Sequence, residues 1–336
     1  MCPLDPALLA PPYKRFRVSP ELADAYMQLF VNRMEYSIQA AQPMMNGKVG
    51  WYLARDRNTR EPKLLDKATI RAHIDGEHTI NLYSIHPGTQ RSKWVAIDAD
   101  YDGCMKDLLQ LRYELKQDSI HAALEQSRRG GHLWIFAETP LLAADCRIYI
   151  YNLALRLGIP VQGGGLRQGI EVFPKQDSLE GKSFGNGIRG PLGVHRRVRR
   201  RYWFIEAEQN PERQMAYLGK VAKVTEDQIK TFTVGMTMPE AYQPPPPVVY
   251  TPGPGHHSDG EIRREFRILD YVRPRTQDRR NYWAQCPSCA RANKDKSRDN
   301  LAIQIADPRF YKCWAGCTKE DIRAALGQPV PSRRFA

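Results

Sequence analysis

The sequence lacks the marks of a secreted or membrane protein. No window approaches the roughly 18 uninterrupted apolar residues of a membrane-spanning helix. The opening stretch, MCPLDPALLAPPYKRF, has no basic head followed by an apolar segment. The whole sequence also contains no internal repeat. These absences predict a soluble protein of the cytoplasm that has no membrane partner.

Acidic residues are in the minority. Lysine and arginine number 50 against 37 aspartate and glutamate residues, so the chain carries a formal net charge of +13. Such a surplus favours association with a polyanion, although it says nothing about the fold. The length of 336 residues suits one sizeable domain and a smaller module.

Cysteine is scarce and unevenly placed. Three of the seven cysteines, Cys2, Cys104 and Cys146, follow no spacing and are expected to be small, reduced fillers. The other four form a C-x2-C pair, 23 intervening residues and a C-x3-C pair. Four thiolates at these spacings predict one structural zinc ion, with disulfides or free thiols as the alternative. The predicted zinc ligands are Cys286, Cys289, Cys313 and Cys317.

Prolines are concentrated in one stretch in the last third of the chain. The stretch PEAYQPPPPVVYTPGPGHHSDG, residues 239–260, excludes a helix or a central strand and is typical of an extended linker. We therefore expect a first folded unit over residues 15–238 and a second, smaller unit over residues 261–330.

Helical and strand-like patterns alternate upstream of this linker. Apolar spacing predicts helices over residues 20–41, 105–117 and 141–158. The strand-like segments are GWYLAR, TINLYSI, KWVAIDA, GHLWIFAE and QGIEVFPK, and IHAALEQS is ambiguous. This alternation favours an α+β or α/β core of about 230 residues.

Two carboxylates stand at the end of an apolar strand in WVAIDADYD, residues 94–102. Residues i and i+2 of a strand face the same way, so Asp98 and Asp100 project together. Their repulsion raises the cost of ionising both, and a divalent cation removes that cost. The alternative is a solvated strand end that leads into an acidic turn.

A basic, glycine-containing loop follows in SRRGGHLWIF, residues 127–136. Ser127, Arg128, Arg129 and His132 lie around a double glycine, which permits close approach of backbone N–H groups and guanidinium groups to phosphate oxygens. An ordinary basic hairpin with a packed histidine is the alternative.

A third acidic residue, Glu171, lies inside the apolar strand QGIEVFPK. An unpaired carboxylate there is costly, so Glu171 needs a partner. The partner is either a cation bound together with the other carboxylates or one of the many arginines.

The order of these three segments resembles the motifs of the archaeo-eukaryotic primase superfamily, the primase-polymerases. The following FGNGIRGPLGVH resembles the family segment that holds the incoming nucleotide, at Asn186, Arg189 and His195. The resemblance covers about residues 20–235 and is strongest to branches linked to CRISPR loci, plasmids and conflict-system operons. One departure lies in the second motif, where Arg128 and Arg129 replace the Gly and Asn of S-G-N-G-x-H.

The resemblance implies an α+β catalytic core and two catalytic ions, Mg²⁺ or Mn²⁺. The implied metal ligands are Asp98, Asp100 and Glu171, and His132 is the fourth implied catalytic residue. The implied nucleotide-binding residues are Ser127, Arg128, Arg129, His132, Asn186, Arg189, His195 and Tyr83. Tyr83 lies where this branch often has a tyrosine beneath the sugar, and a plain core tyrosine is the alternative.

A basic run, HRRVRRRYWF, follows the proposed nucleotide-binding segment. Arginines track phosphates and aromatic rings stack on bases, so we expect contact with the template here. A solvated charged face is the alternative. The residues concerned are Arg196, Arg197, Arg199, Arg200, Arg201, Tyr202 and Trp203.

The cysteine region has a resemblance of its own, to the zinc-binding domain of bacterial and phage primases, over about residues 262–328. In that family a helix precedes the first pair, a strand bearing Phe or Tyr enters the second pair, and a short helix follows. Two departures are Cys289, where the family often has histidine, and the three residues inside the second pair. A module of this size depends on zinc for stability.

Together the patterns favour a template-dependent nucleotidyltransferase that makes primers de novo on single-stranded DNA from nucleoside triphosphates and extends them. A two-metal nuclease is disfavoured because it has little use for triphosphate ligands, and a rolling-circle endonuclease because no His-x-His pair occurs. The non-enzymatic alternative is a zinc-dependent single-strand-binding accessory protein. A helicase and proteins of CRISPR loci or mobile elements are candidate partners.

Overall fold

The computed structural model describes residues 14–42, 50–179, 184–196, 198–243 and 266–328. Contacts divide the chain into two compact units, Met1–Tyr242 and Gln243–Ala336. Most of the proline-rich stretch, residues 244–260, lies outside the described residues, so the proposed extended linker remains a prediction.

The first unit combines six helices and ten strands among its described residues. The helices are α1 (Pro20–Phe30), α2 (Lys67–Asp75), α3 (Cys104–Gln117), α4 (Ala143–Arg156), α5 (Pro211–Leu218) and α6 (Glu226–Thr233). The strands are β1 (Tyr36–Gln39), β2 (Trp51–Leu53), β3 (Ile80–Tyr83), β4 (Arg91–Ala99), β5 (Ala122–Gln126), β6 (Gly131–Leu142), β7 (Glu171–Phe173), β8 (Gly187–Arg189), β9 (Val194–His195) and β10 (Arg200–Arg201). A search of the described helices finds none with the length and apolar character needed to cross a bilayer.

The sheet that carries the acidic motif has the antiparallel order β5-β6-β4-β7. Strand β4 is apolar on both faces because both are buried. Val95 and Ile97 pack with α3 and α4 in one core cluster, whereas Trp94 and Ala96 pack in a second cluster. Asp98 continues the second face, so it points toward the elements of that second cluster.

A second antiparallel sheet, of order β2-β1-β3-β8, supplies Ile80, Leu82 and Ile188 to the same cluster as Trp94. The predicted helix over residues 20–41 is wrong beyond Phe30. Its N-terminus is capped by Ser19, and the backbone becomes extended at Val31. Residues 36–39 form β1 instead, because β2 and β3 pair with it on both sides and satisfy its backbone.

The second unit is a four-stranded antiparallel sheet with two short helices among its described residues. Its elements are β11 (Pro274–Gln277), β12 (Asn281–Ala284), α7 (Pro287–Arg291), β13 (Leu301–Gln304), β14 (Tyr311–Cys313) and α8 (Lys319–Ala325), in the strand order β11-β12-β13-β14. The core is small and includes the cysteines themselves, which pack with Ile268, Leu301, Ile303 and Ile322.

One expectation for the second unit is wrong. Among the described residues, which begin at Phe266 in this unit, a β-hairpin and not an α-helix leads into the first cysteine pair, and a 3₁₀ turn over Ile268–Asp270 precedes the hairpin. The cause is local turn chemistry, because the Asp278 carboxylate accepts hydrogen bonds from the backbone N–H groups of Arg280 and Asn281 at 2.8 and 2.7 Å. Strand β14 and helix α8 match the expected order of strand, cysteine pair and helix.

Candidate active site

A single cross-strand row joins residues from three of the sequence motifs. In the register of the first sheet, Glu125 lies opposite His132, His132 opposite Asp98, and Asp98 opposite Glu171. Directly opposed residues project from the same face of a sheet. Asp100 follows Asp98 by two positions and lies just past the end of β4, beside this row.

The loop between β5 and β6 approaches the acidic strand closely. It is closed by hydrogen bonds from the Ser127 N–H to the Gly130 carbonyl, at 2.8 Å, and from the Gly130 N–H to the Ser127 hydroxyl, at 3.2 Å. A Cβ on Gly130 would collide with the backbone carbonyl of Ala99 and with Cys104. Glycine is therefore required for this loop to reach the end of β4.

A cavity of about 510 Å³ opens in front of this row. The second sheet contributes Gln39, Trp51, Asn81 and Arg189 to its lining. The predicted site residues that line it are Asp98, Asp100, Ser127, Arg128, Arg129, His132, Glu171, Asn186, Arg189 and His195. Three sequence motifs and the segment after them thus meet at one cavity.

Glu125 lies at the centre of a buried ion-pair network and escaped the sequence reasoning. Its fully buried carboxylate accepts hydrogen bonds from Arg189 at 2.7 Å, from His132 Nδ1 at 2.8 Å and from Trp134 Nε1 at 3.0 Å. Burial by itself would raise the pKa of Glu125, but Arg189 and His132 outweigh it and lower the pKa to about 2. The argument that singled out Glu171, a carboxylate in an apolar strand, applies equally to Glu125.

His132 bridges two carboxylates. Its Nε2 lies 3.3 Å from Asp98 Oδ1 on the side away from Glu125. Burial opposes its protonation, but the charges of Asp98 and Glu125 outweigh burial and raise the pKa of His132 to about 9. Both ring nitrogens then donate, so the imidazolium is held in one orientation.

Loss of the buried carboxylate should strongly destabilise the first unit. In Glu125→Ala, Arg189 and His132 lose their shared counter-ion in a buried site, so we expect the free energy of unfolding to fall by about 3–5 kcal/mol. Urea unfolding of the purified protein measures this loss. Glu208→Ala is the matched control, since Glu208 is highly exposed and lies 3.8 Å from Arg213. Equal stability of the two variants would contradict the role given to Glu125.

A buried histidine, His73, supports the turn that joins Arg189 to His195. Its Nε2 donates to the Pro191 carbonyl at 3.0 Å, and its Nδ1 accepts from the Ile80 N–H at 3.2 Å. Burial lowers the pKa of His73 to about 3, which keeps the ring neutral and suited to this pair of bonds. A Cβ on Gly193 would collide with the His73 ring. No local sequence pattern reveals this contact, which spans more than a hundred residues.

The outer carboxylates are paired with cations. Asp100 accepts a hydrogen bond from Arg129, and Glu171 accepts one from Lys175 Nζ at 2.5 Å. Lys175 also lies 4.7 Å from the centre of the Phe173 ring. A metal ion bound at Asp100 or Glu171 would compete with Arg129 and Lys175 for the same oxygens.

The donor chemistry fits hard divalent cations. Within the part of the chain that the structure describes, only the four cysteines bring three or more potential ligand atoms within 4.8 Å of one another. Carboxylate oxygens are the ligands that Mg²⁺ and Mn²⁺ prefer.

Tyr83 does not belong to the cavity lining. Its hydroxyl lies 2.6 Å from the Ser37 hydroxyl, and its buried ring stacks on Phe184 with a centroid distance of 5.4 Å. These are the contacts of a packed tyrosine, which is the alternative left open by the sequence. A contact with the nucleotide sugar stays a prediction.

The basic run is divided between core and surface. Arg201, Tyr202 and Trp203 are buried, so the expectation that the two aromatic rings stack on template bases is wrong. The Arg201 guanidinium donates to the backbone carbonyls of Leu192 and Lys14 and lies over the Phe16 and Trp203 rings, so it is held inside the fold. Arg199 is exposed. Arg197 lies outside the described residues.

The four cysteines of the second unit converge on one point. Cys289 Sγ lies 3.5 Å from Cys313 Sγ and 3.3 Å from Cys317 Sγ, and all four sulfurs lie within 4.8 Å of one another. Tetrahedral zinc with Zn–S bonds of about 2.3 Å places sulfurs about 3.8 Å apart, so the cluster suits zinc. Burial raises the pKa of Cys286 and of Cys289. A bound cation would favour the thiolates that burial disfavours.

A buried aspartate organises the first cysteine pair. The Asp295 carboxylate accepts hydrogen bonds from the backbone N–H groups of Cys286 at 3.0 Å, Asp299 at 3.2 Å and Asn300 at 3.3 Å. Asp295 lies in the polar loop KDKSRDN, where the sequence offers nothing to distinguish it from its exposed neighbours. It is a positioning residue that sequence reasoning missed.

Exposed aromatic rings and lysines surround the second cysteine pair. Phe310 is 55% exposed and Trp314 is 65% exposed. Lys312 Nζ lies 5.0 Å from the Trp314 ring centre, and Lys319 Nζ lies 5.9 Å from that of Phe310. These two aromatic rings and two lysines line a groove of about 520 Å³, which we call the aromatic groove.

Comparison with known proteins gives one family. No curated protein matches the chain. One similar solved structure is the polymerase domain of Ligase D from Mycobacterium tuberculosis in complex with DNA, with 14% identity and a TM-score of 0.34, over 64% of this chain and 86% of that one.

The family model described as the archaeo-eukaryotic primase domain of the TOTE conflict system matches residues 23–232, more than half of the chain. The resemblance inferred from the motifs over about residues 20–235 is thereby confirmed, together with the α+β fold class. The chain belongs to the archaeo-eukaryotic primase domain family of TOTE conflict systems.

Proposed function

We propose that the protein is a template-dependent nucleotidyltransferase that synthesises primers de novo on single-stranded DNA from nucleoside triphosphates and extends them. The observation that carries this proposal is the composition of one cavity. Three carboxylates, Asp98, Asp100 and Glu171, share its lining with cationic and polar groups such as Arg189 and Ser127 that suit a triphosphate. Family membership supports nucleotidyltransferase chemistry of the primase-polymerase type.

The carboxylates hold Mg²⁺ or Mn²⁺ in this proposal. When bound, these ions activate a 3′-hydroxyl and neutralise charge on the triphosphate and the leaving pyrophosphate. The residues of the chain bind and orient the reactants. Arg189 and His132 are fixed by Glu125, so their charges face the cavity without reorganising during the reaction.

The charge distribution also supports nucleotide transfer over simple nucleic-acid binding. A pure single-strand-binding protein gains nothing from acidic groups beside its phosphate path. Here Asp98 and Glu171 form one row with the cation His132 and line one cavity with Arg189. A nuclease, in turn, has little use for the further candidate triphosphate ligands Asn186 and His195 on the same cavity.

A priming assay tests the proposed function. Full-length protein is incubated with single-stranded DNA and labelled nucleoside triphosphates, with Mg²⁺, with Mn²⁺ and with a chelator. We expect short complementary products that require template and either ion. Tight binding of single-stranded DNA without any product would favour the accessory-protein alternative, and cleavage of the template would favour a nuclease.

The second unit binds single-stranded template in this proposal. Exposed aromatic rings stack on bases and lysines contact phosphates, and the aromatic groove presents both. The cysteine cluster supplies the rigidity that such a small core lacks, with zinc bound. A helicase and proteins of CRISPR loci and mobile elements stay predictions of the sequence alone.

Trp314→Ala should weaken binding of single-stranded DNA by about 5- to 150-fold, because one stacked base contributes about 1–3 kcal/mol. Fluorescence anisotropy with a labelled oligonucleotide at fixed salt measures the change. Trp314→Phe should retain most of the affinity. Tyr113→Ala is the control, since Tyr113 is an equally exposed aromatic residue on α3 of the first unit. An unchanged affinity in Trp314→Ala would contradict the role of the aromatic groove.

A further inference from the structure

The second sheet gives the active-site cavity a polar wall. Asn81 of β3 lies directly opposite Ser37 of β1 on one side and Arg189 of β8 on the other. Residues opposed in this way project from the same face of a sheet. Asn81 and Arg189 line the cavity, so this is the face that is turned toward the site. The other face of β3 carries Ile80 and Leu82, which belong to the apolar core.

Asn81 is a buried amide without a partner. It is only 9% exposed, yet its side chain lines the cavity. Its amide carries donors and an acceptor, but it makes no hydrogen bond within the part of the chain that the structure describes. A Cβ on Gly187 would lie 2.2 Å from Asn81 Nδ2, so glycine leaves the space that this amide occupies. A buried polar group left unpaired costs free energy, and Asn81 therefore indicates a ligand that forms hydrogen bonds.

A second amide and an aromatic ring continue the wall. Gln39 of β1 is 6% exposed and lines the cavity, and its side-chain oxygen accepts a hydrogen bond from the Arg196 N–H at 3.2 Å. Trp51 of β2 lies directly opposite Gln39, is 40% exposed and also lines the cavity. From β8 across to β2, the wall thus passes from a cation to two amides and then to an aromatic ring.

This order of groups matches the order of groups in a nucleoside triphosphate. Arg189 is fixed by Glu125 at 2.7 Å and suits the triphosphate. Neighbouring strands lie about 4.8 Å apart, so Asn81 is next to Arg189, whereas Trp51 is three strands away, at about 14 Å. The sugar of a nucleotide joins its phosphates to its base. A nucleotide with its triphosphate at Arg189 therefore places its sugar beside Asn81 and its base toward Trp51, whose ring suits stacking.

We propose that Asn81 is a sugar-selecting residue, whose amide hydrogen-bonds to the 2′-hydroxyl of the incoming nucleotide and makes the protein prefer ribonucleotides over deoxyribonucleotides. This inference rests on the proposed function, which leaves the sugar open. A site built to hydrogen-bond a substrate hydroxyl discriminates against the analogue that lacks it, because the buried group of the protein is then left unpaired. The two amides of Asn81 and Gln39 suit the two hydroxyls of ribose better than the single hydroxyl of deoxyribose.

Tyr83 lies on the same face of β3, two residues after Asn81, but offers no comparable group. Its hydroxyl is paired with that of Ser37 at 2.6 Å, and its ring stacks on Phe184. It does not line the cavity, whereas Asn81 does. An aromatic ring excludes a hydroxyl by its volume, while an unpaired amide binds one. Recognition of the sugar through Asn81 therefore predicts a preference for the additional hydroxyl.

The test measures incorporation of one nucleotide on an annealed primer by the full-length protein, with ribonucleoside and 2′-deoxyribonucleoside triphosphates in separate reactions. Wild-type protein should have a kcat/KM at least about tenfold higher for the ribonucleotide. Asn81→Leu nearly preserves the volume of the side chain but removes its hydrogen-bonding groups, so this ratio should fall at least about tenfold. Asn81→Ala should lower the ratio in the same way. Asn58→Leu is the matched control, since Asn58 is exposed and does not line the cavity.

A second pair of nucleotides isolates the 2′-hydroxyl. A 3′-deoxyribonucleoside triphosphate retains it and the 2′,3′-dideoxyribonucleoside triphosphate lacks it, so wild-type protein should prefer the former and Asn81→Leu should lose that preference. Wild-type protein that uses both sugars equally well would overturn the role of Asn81. An unchanged ratio in Asn81→Leu, or an equal loss with every nucleotide, would overturn it as well. Wild-type protein that adds no nucleotide of either kind to a primer would instead contradict the proposed function itself.

Discussion

Asp98→Asn is expected to abolish nucleotide incorporation, by about a thousandfold or more, which corresponds to about 4 kcal/mol in the barrier. Asp98 is the central carboxylate of the cross-strand row and lines the cavity of the candidate active site. Asparagine has nearly the same shape but no charge, so it cannot hold a divalent ion or balance His132 in the same way. Incorporation of a labelled nucleotide on a primed template measures the loss.

Binding of single-stranded DNA by Asp98→Asn should be retained or slightly tighter. Removal of a negative charge reduces repulsion of the phosphate backbone. Asp102→Asn is the matched control, since Asp102 is an exposed acidic residue of the same segment that does not line the cavity of the candidate active site. Synthesis that survives in Asp98→Asn would show that the carboxylate row is not catalytic, and loss of DNA binding would indicate a damaged fold.

Cys313→Ser should unfold the second unit and abolish the zinc binding proposed for the cysteine cluster. The sulfurs are part of the small core of this unit, so the loss of one ligand removes both a metal bond and a packing contact. Structural zinc contributes about 10–16 kcal/mol of apparent binding free energy in small sites, far more than a core of this size supplies. Metal analysis of the purified protein and limited proteolysis of the second unit measure the two effects.

Cys289→His is the matched variant for this prediction. Histidine is a normal zinc ligand, and the primase zinc-binding domains that the sequence of this unit resembles often carry one at this position. We therefore expect Cys289→His to retain one zinc ion per chain and resistance to proteolysis. A Cys313→Ser protein that remains folded and metal-free would show that the cysteine cluster packs as a reduced core without zinc.

The central site residues were predictable because residue type and order carry the signal. Asp98, His132 and Glu171 come from separate segments, and the sheet register places them side by side. Glu125 was missed because IHAALEQS reads equally as strand or helix end, and only pairing with β6 decides that it is a strand. His73 was missed because its partners, Ile80 and Pro191, belong to other elements.

Errors in the fold arose where tertiary contacts override local pattern. Residues 36–39 continue the helical spacing of α1, yet pairing with strands on both sides makes them extended. The prediction made from the run of arginines was limited for the same reason. Sequence reveals how many cations are present, but not that Arg201 finds backbone carbonyls within the core.

Because the site is a cross-strand row, its geometry depends on the register of neighbouring strands and not on the number of residues between the motifs. The segments between its members, from β4 to β5 and from β6 to β7, form helices and loops whose lengths have no part in that alignment. Insertions in the exposed loops of these segments should be well tolerated, whereas insertions within α3 or α4 would displace the apolar faces that pack against β4. Deletion of one residue inside KWVAIDA would instead turn Asp98 to the opposite face and separate it from both His132 and Glu171. Distant members of such a family are thus better recognised by the alternation within each strand than by the spacing between motifs.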